Sequence, residues 1–292
     1  MSVSTGASAV ERAWQQQSVW SQVADRLKRD LEGNRRMVLA MTVLGAVLSG
    51  GAVVAGLESS LGKGLAALGG AAVALAALAR GRAGAATVRD WTRARSVSEA
   101  LKSEVYVYRA GVGAYAKPDG DRILEERTEM VERDAADLAP RKAGVEPVPR
   151  ELPPVTDAAT YLDERVGGQI SGFYRPRAAD LQRKLARVRD AQLALSVAGV
   201  VAAAVAAFTE SDAVAIWVPV LTTVAAAVAT HAAAQRYEYL LVEYVRTTDE
   251  LERLRDRRGS AAAMSDEALI RAAEHVISVQ NEGWMAKLTT TA

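Results

Sequence analysis

Few residues of this sequence are of a type that could do chemistry at an active site. The chain has no cysteine, so thiolate catalysis, disulfide bonds and cysteine-based zinc sites are excluded. It has two histidines, His231 and His275. His231 lies near the end of an apolar stretch, where a neutral, hydrogen-bonded histidine is more common than a functional one. We therefore predict no catalytic residue, no metal site and no cofactor, and we expect that the protein is not an enzyme.

Two glycine-containing motifs have partial resemblance to phosphate-binding loops. The run from Gly111 to Ala116 has the spacing of a dinucleotide fingerprint, but that motif works only between a strand and a helix, and no strand pattern surrounds it. Gly62-Lys63-Gly64 hints at a phosphate loop, but no serine or threonine follows the lysine. Neither motif predicts nucleotide binding.

The elements that dominate the sequence are four apolar stretches rich in alanine, glycine, valine and leucine. They cover residues 37–57, 61–79, 191–209 and 213–235, and only Lys63, at the start of the second, is charged. A transmembrane helix needs about 20 mostly apolar residues to cross about 30 Å of hydrocarbon. Alanine-rich helices also build the cores of soluble bundles, so the stretches alone leave both interpretations open.

Basic residues at the edges of the stretches favour the membrane and predict an orientation. Arg35 and Arg36 precede the first stretch and Arg236 follows the fourth, whereas the short links within each pair hold mainly acidic residues. Lysine and arginine are enriched on the cytoplasmic side of membrane helices. The predicted fold is therefore all-α, with two antiparallel transmembrane hairpins, and both termini lie in the cytoplasm. The alanine and arginine bias indicates a bacterial source, hence the bacterial inner membrane.

The helices that leave the hairpins carry apolar stripes with a seven-residue repeat. Such stripes cover one helix face and predict burial against another helix. No proline lies between Leu221 and Arg258, so we expect the fourth span to continue unbroken into a long amphipathic cytoplasmic helix. The stripe residues are Tyr237, Tyr244 and Leu251 after the second hairpin, and Leu101, Tyr108 and Tyr115 after the first.

The shared layout of the two halves predicts a divergent duplication. We expect a first two-span domain over residues 1–117, a charged helix and proline-rich linker over 118–156, and a second two-span domain over 157–292. The third span presents small residues four apart, a spacing that allows helices to approach closely. These small residues, Gly199, Ala203 and Ala207, could pack within one hairpin or between subunits.

Motifs around the second hairpin resemble those of the SLATT family, two-transmembrane effector domains that accompany SMODS nucleotidyltransferases and SLOG nucleotide sensors in bacterial conflict systems. One motif runs from Tyr161 to Gln169 and is followed by Phe173-Tyr174, and the other closes the chain as a Glu-x-Trp element. The signature residues, to which the resemblance assigns no role, are Tyr161, Arg165, Gln169, Tyr174, Glu282 and Trp284. The segment after the first hairpin is similar to another SLATT subtype, which implies two SLATT domains in tandem.

The resemblance implies a membrane effector, active in antiphage defence, that forms a pore or disrupts the membrane. Its expected partners are the lipid bilayer, further copies of itself in a homo-oligomer, and a nucleotide-sensing or nucleotidyltransferase protein that activates it. No nucleic acid partner is expected, since the net charge is only +1. The alternative is a non-conducting membrane scaffold whose cytoplasmic helices recruit partners.

Overall fold

The computed structural model describes residues 7–258 and 264–289, with side chains described as far as residue 278. This part of the chain contains helices and no strand, which confirms the all-α class. Two 3₁₀ turns, Gly113–Ala116 and Ala136–Lys142, follow α3 and α4. The helices are α1 Ala9–Val54, α2 Ser60–Arg82, α3 Ala85–Ala110, α4 Gly120–Arg133, α5 Ala158–Tyr161, α6 Arg175–Thr209, α7 Asp212–Ala215, α8 Trp217–Gln235, α9 Tyr237–Arg257 and α10 Asp266–Thr289.

One compact unit, called here the membrane unit, holds residues 30–84 and 179–241. Within the described residues, four helical stretches are long and apolar enough to cross a bilayer, with mean hydropathy of 1.7 to 2.2 over 18 residues. All four of these apolar stretches lie in the membrane unit. The predicted pair of transmembrane hairpins is therefore confirmed.

The first hairpin turns tightly at glycines. Gly56 has a φ of +81°, which glycine adopts without the steric cost that a side chain brings. A Cβ atom on Gly62 would lie 2.1 Å from the carbonyl oxygen of Gly56. The start of α2 therefore lies so close to the end of α1 that residue 62 has no room for a side chain. Because of this turn, α1 ends at Val54, before the predicted end of the span at residue 57.

The fourth span does not continue unbroken, contrary to the expectation from the sequence. Arg236 has a left-handed backbone with φ of 52° and separates α8 from α9. The start of the span is also interrupted, at Ile216, because Pro219 has no amide hydrogen to donate to the carbonyl of Ala215. The absence of an internal proline was thus insufficient to predict continuity.

The second compact unit, called here the extramembrane unit, comprises the described residues up to Arg29, Ala85–Ala178 and those from Val242 onward. It therefore combines segments from both halves of the sequence. Helix α10 packs against α3 and against the short helix α5. Its main core combines Val155, Leu162, Ile170, Leu251, Leu269, Ile270 and Ile277 with the rings of Tyr161 and Tyr174.

The expected stripe on α3 ends earlier than its spacing predicts. The helix stops at Ala110, because Gly111 and Gly113 follow with φ of +65° and +62°. Tyr115 therefore lies in the 3₁₀ turn that follows, although its ring still packs edge-on against Tyr108 at 5.5 Å between centroids.

The proline-rich segment is held along α1 in the extramembrane unit. The indole nitrogen of Trp14 donates a hydrogen bond to the carbonyl of Glu151 (2.8 Å), and the backbone N–H of Val148 donates to Ser18 Oγ (3.0 Å). Beyond Lys142 the segment is not helical until α5 begins, as its prolines predict.

Candidate functional site

The first SLATT-like motif forms an irregular helical segment of the extramembrane unit. Asp157 caps it through a capping box with Thr160, and α5 is followed by two π-helical turns, over residues 162–167 and 170–174. Pro176 explains the second π turn, because it has no amide hydrogen for the carbonyl of Gly172, and the N–H of Arg175 bonds Ile170 instead. π turns are rare and frequently mark functional sites. This segment leads directly into α6.

The π-helical segment positions a fully buried arginine. The side chain of Arg165 is 1% exposed and binds Glu274 of α10 in a two-pronged ion pair, with Nε to Oε1 at 2.9 Å and Nη2 to Oε2 at 3.0 Å. The hydroxyl of Tyr161 donates to the same Oε1 at 2.9 Å. Two signature residues of the SLATT-like motif therefore converge on one carboxylate.

A second carboxylate, from the first half of the chain, completes the group. Glu99 of α3 accepts from Arg95 at 2.6 Å and lies 3.8 Å from Arg165, measured from its Oε2 to Nη1. We call Arg95, Glu99, Arg165 and Glu274 the buried charge cluster. Two positive and two negative side chains balance in it, as the burial of charge requires.

Burial and pairing act in opposite directions on the ionisation of the cluster. Burial alone would lower the pKa of Arg165, but the attraction of Glu274 and Glu99 outweighs burial and raises it. Burial alone would raise the pKa of Glu274, but Arg165 and the hydrogen bonds hold it below its ordinary value. For the neighbouring Lys102, burial and repulsion from Arg165 outweigh the attraction of Glu99 and Glu274 and lower its pKa to about 8. Arg165, Glu99 and Glu274 therefore stay charged near neutral pH.

Aromatic rings lie next to Arg165 and within the π-helical segment. The guanidinium of Arg165 lies 5.1 Å from the ring centre of Tyr106, within cation–π range. Tyr174, whose side chain is buried, lies 5.2 Å from the ring of Phe173 and 5.8 Å from that of Tyr244. Tyr106 therefore packs against Arg165, and Tyr174 belongs to the main core of the extramembrane unit.

The remaining residues singled out in the sequence have varied surroundings. Leu251 is fully buried in the main core of the extramembrane unit, Gln169 is half-buried, and Tyr237, in the membrane unit, lies 5.7 Å from the ammonium of Lys184. Gly199 is half-buried, whereas Ala203 and Ala207 are exposed. Glu282 and Trp284 lie on α10, but their side chains are outside the described part of the structure.

The sequence did not predict that Glu99 and Glu274 are buried and paired, although Glu99 lies in the segment that is similar to another SLATT subtype. Glu274 lies four residues after Ile270 and three before Ile277, so a charge interrupts the apolar stripe of α10. That interruption is a signal that could have found it. Glu99 carries no comparable local signal, because its burial depends on contacts with distant segments.

Most polar atoms of the cluster are held in ion pairs. Nε and Nη2 of Arg165 bind Glu274, and Oε1 of Glu99 binds Arg95, so these atoms are not free to act on a substrate. Among the described residues no group of three His, Asp or Glu side chains lies close enough to hold a metal ion.

Four spans and an extramembrane unit with a buried ion-pair cluster define a helical multi-pass membrane protein. Residues 161–284 match the family described as SMODS and SLOG-associating 2TM effector domain 1, abbreviated SLATT. Residues 161–284 therefore belong to the SLATT family, whose members are two-transmembrane effector domains of conflict systems, and the resemblance predicted around the second hairpin is confirmed. Residues 18–122 match a family of unknown function, DUF4231. Comparisons with curated proteins and with solved structures gave no match.

Proposed function

We propose that this protein is a bacterial membrane effector that oligomerises and permeabilises the inner membrane when a partner sensor activates it. The SLATT match supports the effector role, and the family description points to a nucleotide-sensing or nucleotidyltransferase partner. Residues 1–117 are then a second SLATT-like two-span domain, joined by 118–156 to the domain over 157–292. In this role the protein acts by assembly in the membrane and not as an enzyme.

The observation that carries the oligomer is how the glycines of the membrane unit are used. A Cβ on Gly45 would lie 2.9 Å from Val73 Cγ2, and one on Gly50 would lie 2.7 Å from Val220 Cγ2. These glycines already serve packing within the unit. A Cβ on Gly199, like one on Gly70 of the second span, would meet no atom within 4 Å. The small-residue face of the third span is therefore free, and such faces favour close contact between membrane helices.

The third span is also the least covered of the four. None of its most apolar 18-residue window is buried, compared with 22% of the window in the second span. A lipid-facing helix has no need of small residues, whereas a helix that packs against another copy does. The exposed Ala203 and Ala207 continue the face that Gly199 begins.

Conduction requires more than one copy. Residues 191–209 and 213–235 contain no Asp, Glu, Lys or Arg, so they offer no charged ring of the kind that lines wide aqueous pores. A path through one chain would have to pass between apolar helices. We therefore propose that several hairpins surround a common axis and that an apolar constriction closes the resting state.

The experiment compares two double variants of the third span. Gly199→Leu with Ala203→Leu fills the free face, and Val200→Leu with Ala204→Leu adds bulk one residue further along, on a different side of the helix. Particle mass in nanodiscs is measured first, followed by dye leakage from liposomes with and without a SMODS or SLOG partner protein.

We expect wild type and the shifted control to be oligomeric and to release dye with the sensor. The Gly199 and Ala203 variant should insert into the membrane yet remain monomeric and silent. A wild-type protein that is strictly monomeric and never permeabilises would overturn the proposal in favour of the membrane scaffold.

A further inference from the structure

A cavity of about 530 Å³, lined by both polar and apolar side chains, lies in the extramembrane unit. Residues of α3, α10 and the 3₁₀ turn after α3 line it, and Arg165 and Glu99 form part of its wall. Pockets that bind small molecules commonly measure about 300–1,000 Å³. The cavity is therefore large enough for an organic ligand and not merely for one water molecule, whose share of liquid volume is about 30 Å³.

One buried donor at this cavity lacks a partner. Among the described residues, no atom forms a hydrogen bond with Nη1 of Arg165, although the Nε and Nη2 atoms of the same guanidinium bind Glu274. A buried donor without an acceptor costs free energy, so each such atom needs an explanation, and an acceptor supplied by a bound molecule is one. Arg165 is 1% exposed, so bulk solvent does not serve this atom.

An acceptor stands beside this free donor. Oε2 of Glu99 lies 3.8 Å from Nη1, too far for a hydrogen bond, while Oε1 of the same carboxylate is the atom that binds Arg95. Donor and acceptor thus stand side by side in the wall. A chemical group that offers one acceptor and one donor next to each other satisfies both.

The charge balance of the wall restricts the class of that group. Each acidic side chain that lines the cavity pairs with an arginine: Glu274 with Arg165, Glu99 with Arg95, Glu104 with Arg127 and Glu267 with Arg271. Lys102, a further cation beside the cluster, is not among the residues that line the cavity. An anionic group would face Glu99 and Glu274, and a cationic group would face Arg165 and Arg95. Either would add a charge without a counter-charge to a buried site, which is costly.

We propose that this cavity binds an uncharged small molecule through an amide or lactam edge. Its carbonyl oxygen accepts from Arg165 Nη1, and its N–H donates to Glu99 Oε2. The remaining cavity, lined by the serines Ser96, Ser103 and Ser278 and by apolar side chains such as Val107, holds the rest of the ligand. This site does not depend on whether the spans conduct.

The test uses saturation-transfer NMR on the full chain in nanodiscs. The probes are uridine and 2-piperidone, which carry a lactam edge, each with its N-methylated counterpart, and benzoate serves as an anionic probe. Ala100→Phe and Ser96→Phe each place a ring in the cavity wall without altering the charge cluster. Ala86→Phe, at an exposed position of the same helix, is the matched control.

We expect at least one lactam to bind wild type and the control, and its binding to be lost in both cavity variants. N-methylation removes a hydrogen bond to a charged acceptor and should weaken binding by about tenfold or more. Two variants are used so that one that fails to fold still leaves a measurement. Absence of lactam binding, binding unaffected by both substitutions, or a preference for benzoate would overturn the proposal.

Discussion

Glu274→Gln is expected to destabilise the protein strongly, because it removes the negative charge that compensates the buried Arg165. The substitution keeps the size of the side chain but leaves the guanidinium, 1% exposed, with only Glu99 at 3.8 Å to balance it. Removing one partner of a buried pair costs about 3–5 kcal/mol. The lower value applies, since the amide oxygen can still accept from Tyr161 and Glu99 retains part of the compensation. With about 2–4 °C per kcal/mol, the melting temperature should fall by roughly 6–12 °C.

The assay is thermal unfolding of the full chain in detergent, with Glu126→Gln as the matched control. Glu126 pairs with Arg122 on the surface of α4, where both side chains are about 60% exposed, so its removal should leave the melting temperature unchanged. A fall of less than about 2 °C for Glu274→Gln would refute the reasoning. A double variant, Arg165→Met with Glu274→Leu, should recover most of the loss, because no charge is then left unpaired.

Three further predictions concern other parts of the chain. Gly62→Ala should prevent stable folding of the first hairpin, since its Cβ would lie 2.1 Å from a backbone carbonyl oxygen. Gly64→Ala is the control: its Cβ would meet no atom within 4 Å, so the yield of folded protein should stay the same or rise slightly. Lys102→Met should raise the melting temperature at pH 7. Burial lowers the pKa of Lys102 from 10.5 to about 8, so below pH 8 its charge destabilises the folded state. The gain from the substitution should shrink between pH 8 and 10.5, and a gain that does not depend on pH would contradict the lowered pKa of Lys102. A cysteine at Ser59 should react with an impermeant thiol reagent in intact cells and one at Ser265 should not, and labelling at Ser265 would overturn the proposed orientation.

The membrane fold was accessible from the sequence, because the signals that define it are local. Apolar stretches of span length with basic flanks indicate hairpins without knowledge of any distant contact. This prediction does not depend on how the helices pack.

The failures came where backbone geometry departs from what residue type suggests. Arginine rarely adopts a left-handed conformation at the end of a helix, so the residue type at Arg236 did not predict the break between α8 and α9. Similarly, the seven-residue spacing that included Tyr115 took no account of the two positive-φ glycines before it. Periodicity alone could not reveal that Tyr115 leaves the helix and yet packs on Tyr108.

Only part of the candidate site could be predicted from the sequence, because its residues come from three segments that are far apart in the chain. Tyr161 and Arg165 lie in the motif that resembles the SLATT family, but their common partner Glu274 is 109 residues beyond Arg165. Four residues of spacing place Tyr161 and Arg165 on one side of a helical segment, which is a local fact. Which residue they bind depends on the tertiary fold, and the spacing of residues in a single sequence does not predict it.

The buried charge cluster also bears on why the two halves stay on one chain. A buried ion pair adds little net stability compared with apolar packing, yet it is severely unfavourable when incomplete. Glu99 comes from the first half of the sequence and Arg165 and Glu274 from the second, and all three lie in the extramembrane unit. Either half alone would keep buried charges without their full set of partners. The extramembrane unit therefore depends on both halves of the chain, and we expect neither half to fold there without the other.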